Sequence, residues 1–290
     1  MPPATNPLSG NDLSELSVLA AFAHPDDEGF GFGGTLAMLA SRGARITLVC
    51  ATNGDVGEIS DPALATPENL AQVRQEELRQ AMTVTGVSDV RFLNYRDSGM
   101  DGTADNSHPA SLSQASAEQV SARLAEIMEE IRPRLVFTHD PTGGYGHPDH
   151  RAVYRHTTAA FTQIFNQADN HSINQAGGAG NELLYYVCFP RSNFRRIWQQ
   201  LKDMGIEPPF ASLDLEKIGS PDEAVTTVRD VAGYVDIKIA SLDCHRTQMN
   251  PDGPFARLPK DMLREIMSTE YFTLAQPENT AKDSDLLAGL

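Results

Sequence analysis

Two short segments of this chain concentrate the residue types that bind cations and move protons. The first, Ala23-His24-Pro25-Asp26-Asp27-Glu28, sets an imidazole beside three carboxylates. His24 and Asp27 lie three positions apart with Pro25 fixing the backbone between them, so both side chains can converge on one cation. Carboxylates this crowded repel one another unless positive charge sits among them. The plain alternative is a solvated turn whose acids favour the N-terminus of the next helix. The second segment runs from Asp140 through Gly143, Gly144, Tyr145 and Gly146 to His147-Pro148-Asp149-His150. Pro148 suits a first helical turn, which puts His147 at the cap and Asp149 and His150 just inside. Helix capping accounts for Pro148 and Asp149. It leaves the two flanking histidines unexplained.

The elements that must position these residues follow from hydrophobic patterning. Residues 17–23 (SVLAAFA), 46–52 (ITLVCAT), 90–93, 135–138 and 183–189 are short apolar runs and read as buried strands. Helices are expected over 33–42, from the Thr66-Pro67-Glu68 start to a stop at Gly86, from a Ser116/Gln119 capping box to Pro133, and over 150–166. Strand–helix alternation argues a doubly wound, mostly parallel α/β sheet (Rossmann-like) with helices on both faces. In the strand order 3-2-1-4, strands one and four are neighbours and the loops after them diverge into a crevice, where such sheets bind ligands. The two His/Asp segments follow those two strands. A Pro-rich segment at 205–222 leads into a mixed extension of strand (224–229), helix (235–248) and strand (270–274), expected to pack on the same sheet. The expected organisation is one domain over 17–275, flanked by flexible segments at 1–16 and 276–290. The polar stretches 98–115 and 167–181 are long for connections and read as rim loops or lids.

Composition narrows the class. The chain has 290 residues, 40% of them apolar, and can bury a full core. Its 23 basic and 39 acidic residues give a formal net charge of −16, a poor match for nucleic acid or anionic lipid. Residues 1–16 carry no Lys or Arg and no apolar stretch, so no secretory signal is read there. Three scattered cysteines, Cys50, Cys188 and Cys244, read as reduced thiols of a cytoplasmic protein. Subunit number is left open, a homo-oligomer included.

A rival reading starts at Gly29. Gly29-Phe30-Gly31-Phe32-Gly33-Gly34 matches the dinucleotide fingerprint, and Asp55 lies about twenty residues on. A nucleotide-binding oxidoreductase would need those glycines directly after the strand, so that pyrophosphate rests on the helix N-terminus. Here His24 to Glu28 intervene and bring three carboxylates to the anion's place. The glycines are better read as a turn that lets backbone pass close beneath a metal site.

Taken together, AHPDDE at 23–28, TNGDVGE at 52–58, RDSGM at 96–100, GYGHPDH at 144–150 and KIASLDCHRTQ at 238–248 resemble the LmbE-like, PIG-L type N-acetylglucosaminide de-N-acetylases. That group includes the deacetylases of mycothiol and bacillithiol synthesis and the mycothiol S-conjugate amidases. The resemblance spans most of 17–248 and implies a zinc-dependent hydrolase that removes acetyl from an N-acetylglucosamine-containing small molecule. It implies His24, Asp27 and His150 as metal ligands. Three ligands leave a fourth position for water, the mark of a catalytic zinc site. Zn, Fe, Co and Ni all tolerate such ligands.

The resemblance further implies Asp26 as general base, and His147 as the group that stabilises the oxyanion or protonates the departing amine. Asp149 would hold the tautomer of His147 and raise its pKa, and Tyr145 would hydrogen-bond the substrate carbonyl. Arg74 and Asp97 match sugar or aglycone contacts, although a helix surface charge and a turn acid describe them nearly as well. His139 and Asp140 are candidates for outer support or for a hydrogen-bonded structural pair, His245 for the pocket rim or for a semi-buried structural histidine, and Glu58 for a substrate contact or a solvated loop acid. Gly-Phe-Gly-Phe after Glu28 departs from the mycothiol branch while RDSGM and GGYGHPDH lean toward it, so GlcNAc-inositol, GlcNAc-malate, thiol-conjugate and chitooligosaccharide substrates all stay open. An amidase acting on a thiol conjugate is the nearest alternative. A non-catalytic metal or sugar-binding module would have no use for Asp26.

Overall fold

A computed structural model of the chain describes residues 12–166, 182–208, 216 and 218–277. The expectations for most of 1–16, for the stretch 167–181, for much of 205–222 and for nearly all of 276–290 lie outside the described residues.

Seven strands form one sheet in the order β3-β2-β1-β4-β5-β7-β6. The first five, β1 (Ser17–Phe22), β2 (Arg45–Thr52), β3 (Asp89–Tyr95), β4 (Leu135–His139) and β5 (Leu183–Cys188), pair in parallel. The extension joins this sheet as expected: β7 (Thr269–Gln276) pairs antiparallel with β5, and β6 (Thr227–Asp230) with β7. Side chains alternate across β1. Val18, Ala20 and Phe22 enter a core built with Leu36 and Leu39 of α1 (Asp27–Ser41) and Leu78 and Met82 of α2 (Leu70–Thr85). Leu19, Ala21 and Ala23 enter the opposite core with Val120, Leu124 and Met128 of α3 (Ala117–Ile131) and Val153 and Phe161 of α4 (Pro148–Phe161). A strand covered on both faces has no polar side to show, which is why these strands read as unbroken apolar runs.

Several boundaries follow their local signals. Ser116 caps α3 by accepting from the Gln119 amide, and Gly86 ends α2 at φ +88°. Helix α2 starts at Leu70 rather than at Thr66, because residues 66–69 form a turn in which the Thr66 amide donates to Asn69 Oδ1 at 2.7 Å. Two amphipathic helices, α5 (Arg191–Asp203) and α7 (Lys260–Met267), were not delimited from sequence. They enclose a small apolar cluster around Leu201, Ile206 and Leu258.

The larger correction concerns α1. It begins at Asp27, six residues ahead of the expected start, so the Gly-Phe-Gly-Phe-Gly-Gly run is helix and not a turn. Those glycines face protein and not a cation site. A Cβ on Gly31 would stand 2.5 Å from Val187 Cγ1, and one on Gly34 2.5 Å from Val231 Cγ2. The run lets α1 lie close against β5, the loop after β6 and α6 (Val235–Leu242), and with the glycines inside the helix the dinucleotide reading fails. Gly34→Ala should therefore destabilise the protein by about 1–3 kcal/mol through overpacking, although Ala is the better helix former by about 1 kcal/mol. A urea-unfolding midpoint that rises would refute this account of the run.

Candidate active site

The motifs meet at the carboxyl edge of the sheet. Parallel pairing of β1 with β4 brings Ala21 opposite Thr138, so the segments after Phe22 and after His139 emerge side by side. The loops after β2 and β3 close the same edge. Arg96 Nη1 donates to Asp55 Oδ2 at 2.8 Å, and the Asp97 amide to Asp55 Oδ1 at 3.1 Å.

Three donor groups form a tight triangle there. His24 Nδ1 lies 3.2 Å from His150 Nε2 and 3.2 Å from Asp27 Oδ2, and His150 Nε2 lies 3.1 Å from Asp27 Oδ1. Tetrahedral ligands at about 2.0–2.1 Å from zinc stand about 3.3 Å from one another, so the spacing suits one small divalent cation. The residues thus come from β1's end, the first turn of α1 and the first turn of α4. His147 and His139 complete a ring of buried imidazoles. The His147 ring centroid is 4.5 Å from that of His24, and His139 stacks on His150 at 4.0 Å. Among the described residues, every group of donors able to hold a metal falls at this one place.

Charge tells the same story as distance. Burial lowers the pKa of His24, but the Asp97 and Asp27 carboxylates and the Asp149 hydrogen bond outweigh it and hold it well above its usual value. Burial would raise Asp27, yet His150, His139 and His24 keep it well below the carboxylate range. Burial, opposed by Arg74, pushes Asp26 up to about 6. Burial and the neighbouring His24 and His150 depress His147 to about 2, and burial with His150 depresses His139 to about 4. The carboxylates crowded about His24 stabilise positive charge at this place, which a bound divalent cation would supply instead of a proton on the ring.

Individual contacts revise several expectations. The Asp149 carboxylate makes no hydrogen bond to His147 among the described residues, although the two lie within 4.8 Å. It accepts from the Ser98 amide at 2.8 Å and the Ser98 hydroxyl at 2.5 Å, and lies 3.2 Å from His24 Nε2. It is the Asp149 backbone amide that donates to His147 Nδ1, at 3.2 Å, as a helix cap. Burial, His24 and His150 lower the pKa of His147 rather than raise it, and with Nδ1 accepting from that amide the neutral ring carries its hydrogen on Nε2. Arg74 is buried rather than a surface charge: it donates to the Pro25 and Gly54 carbonyls at 2.7 and 2.8 Å and to Asp26 Oδ2 at 3.2 Å. Asp97 is buried too, 3.6 Å from His24 Nε2. Tyr145 sits half-buried on a glycine-flanked turn, its ring 5.2 Å from that of His150. Glu58 is exposed, as a solvated loop acid should be.

Sequence reasoning gave Ser98 no part, and Glu28 no more than a place among the crowded acids. The loop at 98–114 is tied down at its base, where Asn106 Nδ2 donates to the Ser98 carbonyl at 2.6 Å and Ser98 grips Asp149. Glu28 accepts from the Asp26 amide at 3.0 Å and from His245 Nε2 at 2.7 Å. His139 Nε2 accepts from the Ala23 amide at 3.0 Å, which makes it a clamp between β1 and β4. A third carboxylate directly after two others, and a lone histidine in a late helix motif, were the available signals for Glu28 and His245.

Comparison with known proteins agrees with the motifs. Residues 19–161 match the family described as GlcNAc-PI de-N-acetylase, PIG-L. A 1D-myo-inositol 2-acetamido-2-deoxy-alpha-D-glucopyranoside deacetylase of Acidothermus cellulolyticus is 37% identical over 94% of this chain and 95% of its own. Among solved structures, an N,N'-diacetylchitobiose deacetylase from Pyrococcus horikoshii superposes with a TM-score of 0.59 at 22% identity, covering 89% of this chain and 83% of that one. A 4-carboxy-2-hydroxymuconate hydratase from Pseudomonas putida superposes with a TM-score of 0.55 at 18% identity, covering 93% and 99%. The same fold thus carries a deacetylase and a hydratase, and function has to be argued from the site.

Proposed function

The chain belongs to the GlcNAc-PI de-N-acetylase (PIG-L) family, and on that premise we propose that it hydrolyses the acetamide of an N-acetylglucosamine glycoside of inositol, with a zinc ion held by His24, Asp27 and His150. The products are acetate and the free amine. The observation that carries this reading is the triangle of His24, Asp27 and His150 donors, with the buried Asp26 carboxylate close enough to His24 and Asp27 for their charges to act on it. We assign the activity to the unit over 17–275 and place it in the cytoplasm. Among the described residues no helix is long and apolar enough to cross a membrane.

A divalent cation held by His24, Asp27 and His150 would supply Lewis acidity, making water acidic enough, with a pKa of about 7 rather than 15.7, to give up its proton at neutral pH. Asp26 takes the proton from the attacking water and returns it to the nitrogen as the C–N bond breaks, so that acetate and the amine leave, and Arg74 Nη2, 3.2 Å from Oδ2, fixes the orientation of that carboxylate. His147, neutral and with its hydrogen on Nε2, donates to the carbonyl oxygen as negative charge builds there. Tyr145 supplies a second hydrogen-bond donor to the same oxygen. Burial pushes its phenol above the usual range and keeps it protonated. Asp149 and Ser98 hold His24 in register, an outer arrangement that orients a ligand's ring. Asp97, buried beside His24, fits as a wall of the sugar pocket.

The reading is tested by acetate release from GlcNAc-inositol, GlcNAc-malate, a chitooligosaccharide and a thiol-conjugate amide, with and without a chelator. Fastest turnover on GlcNAc-inositol, abolished by chelation and restored by zinc, is the expected result. Chelator-resistant turnover would contradict the metal, and preference for the thiol-conjugate amide would make the chain an amidase.

A further inference from the structure

We propose that His245 and Glu28 are a positioning pair for the general base Asp26, so that the late motif at 238–248, whose helix ends at Leu242 and not at 248 as expected, sets the rate of the reaction as well as completing the core. The inference rests on the role given to Asp26 above.

It starts from the backbone. Asp26 has φ +116° and ψ −26°, a conformation that side-chain-bearing residues rarely adopt and that persists only where the surroundings enforce it. Two restraints act on the residue from different sides. From α2, Arg74 holds the Pro25 carbonyl at 2.7 Å and the Asp26 carboxylate at 3.2 Å. From α1, Glu28 Oε2 accepts from the Asp26 amide at 3.0 Å. Arg74 thus fixes the side chain, and Glu28 fixes the peptide from which it projects.

Glu28 needs a partner to do this. Its side chain is 1% exposed, so its carboxylate cannot be oriented by bulk water. The second oxygen, Oε1, lies 2.7 Å from His245 Nε2, and His245 is wholly buried. Held at both oxygens, the carboxylate has one orientation; with His245 gone, the Asp26 amide is its one remaining side-chain hydrogen-bond partner among the described residues, and the oxygen that serves it is free to turn. The other ring nitrogen, His245 Nδ1, is buried with no hydrogen-bond partner among the described residues. A histidine kept only to stabilise the core would be expected to have both nitrogens satisfied. This one directs its polar contact to Glu28 alone.

The rest of the motif aims the ring. Leu242 packs over Gly29, which seats α6 against the first turns of α1. Beyond the helix, Glu77 accepts from the Thr247 amide at 2.8 Å, and Ser60 Oγ donates to the Arg246 carbonyl at 2.7 Å. His245 is flanked by these anchors and so arrives at Glu28 across 217 positions of chain.

The experiment compares wild type, His245→Ala and His245→Gln, each alone and combined with Asp26→Asn, for kcat, KM and bound metal. In the wild-type background His245→Ala should lower kcat roughly 30-fold, the scale of a small misplacement of a reacting group, with KM and metal content unchanged. Gln, whose amide can still donate to Glu28, should recover most of the loss. In the Asp26→Asn background, His245→Ala should cause no further loss, since there is no base left to position. A loss that multiplies with Asp26→Asn, or that appears in KM or metal content, overturns the proposal. Should His245→Ala fail to fold, His245→Gln against the shorter His245→Asn makes the same comparison. A readout independent of turnover is the Asp26 amide proton by NMR in the metal-free protein, expected to move upfield in His245→Ala and Glu28→Ala as its carboxylate acceptor loosens. If wild type releases no acetate from any substrate, the deacetylase reading fails, and an unmoved Asp26 resonance is then what overturns the pair.

Discussion

Asp26→Asn should keep its bound metal and lose about 10³-fold in kcat, within the roughly 10²–10⁴-fold range for removing a general base. Asn preserves the shape of the side chain and an oxygen for the Arg74 guanidinium, which lies 3.2 Å from Asp26 Oδ2. What it removes is the ability to accept a proton. The same residue sets the acid limb of the pH profile. A base works only when ionised, so kcat/KM falls as pH drops through the pKa of Asp26. Burial raises that pKa to about 6, and a cation beside Asp27 favours the ionised form, so the limb should lie no higher than about 6. Kinetics on Asp26→Asn with metal analysis of the same preparation checks both parts. Retained turnover would leave the chain a binding module with no use for Asp26.

His150→Ala should do the opposite: lose the metal first and the activity with it. Outer partners of a metal ligand cost roughly 10–100-fold in affinity when removed, and a direct ligand costs more. The imidazole supplies one corner of the donor triangle, 3.1 Å from Asp27 Oδ1 and 3.2 Å from His24 Nδ1. Zinc at 100 times its Kd should stabilise the wild-type fold by about 2.7 kcal/mol and the variant hardly at all. Thermal unfolding with and without zinc reads this directly. Equal metal loss in Asp26→Asn and His150→Ala would break the division between a residue that grips the ion and one that moves a proton. A zinc-dependent shift that survives in His150→Ala would move the ligand set elsewhere in the imidazole ring.

Much of this site was legible in the chain because its location is a consequence of periodicity. Buried parallel strands are uninterrupted apolar runs, and their ends are marked by the first polar residues. Residues 17–23 and 135–138 therefore announced where His24 and Asp140 begin, and strand order placed the two loops together. Local helix chemistry was equally readable at Ser116, Gly86 and the His147-Pro148 cap. The family resemblance rested on motifs that are themselves contiguous.

The sequence by itself determined the sheet, the crevice and the residues that meet there, since each depends on patterns a few positions long. Tertiary structure alone decided how those residues are shared out. The Asp149 carboxylate turned to His24 and Ser98 rather than to its neighbour His147, because a helix cap commits the Asp149 amide to that ring and aims the carboxylate elsewhere. The glycines after Glu28 became a packing face of α1, because α6 and the loop after β6 come close enough to exclude any Cβ. Arg74, read as a surface charge or a sugar contact, was drawn inward to Asp26 and two carbonyls, and Glu28 found its partner 217 positions away. Contacts of that kind are fixed by which surfaces pack together once the chain has closed, and no local period records them.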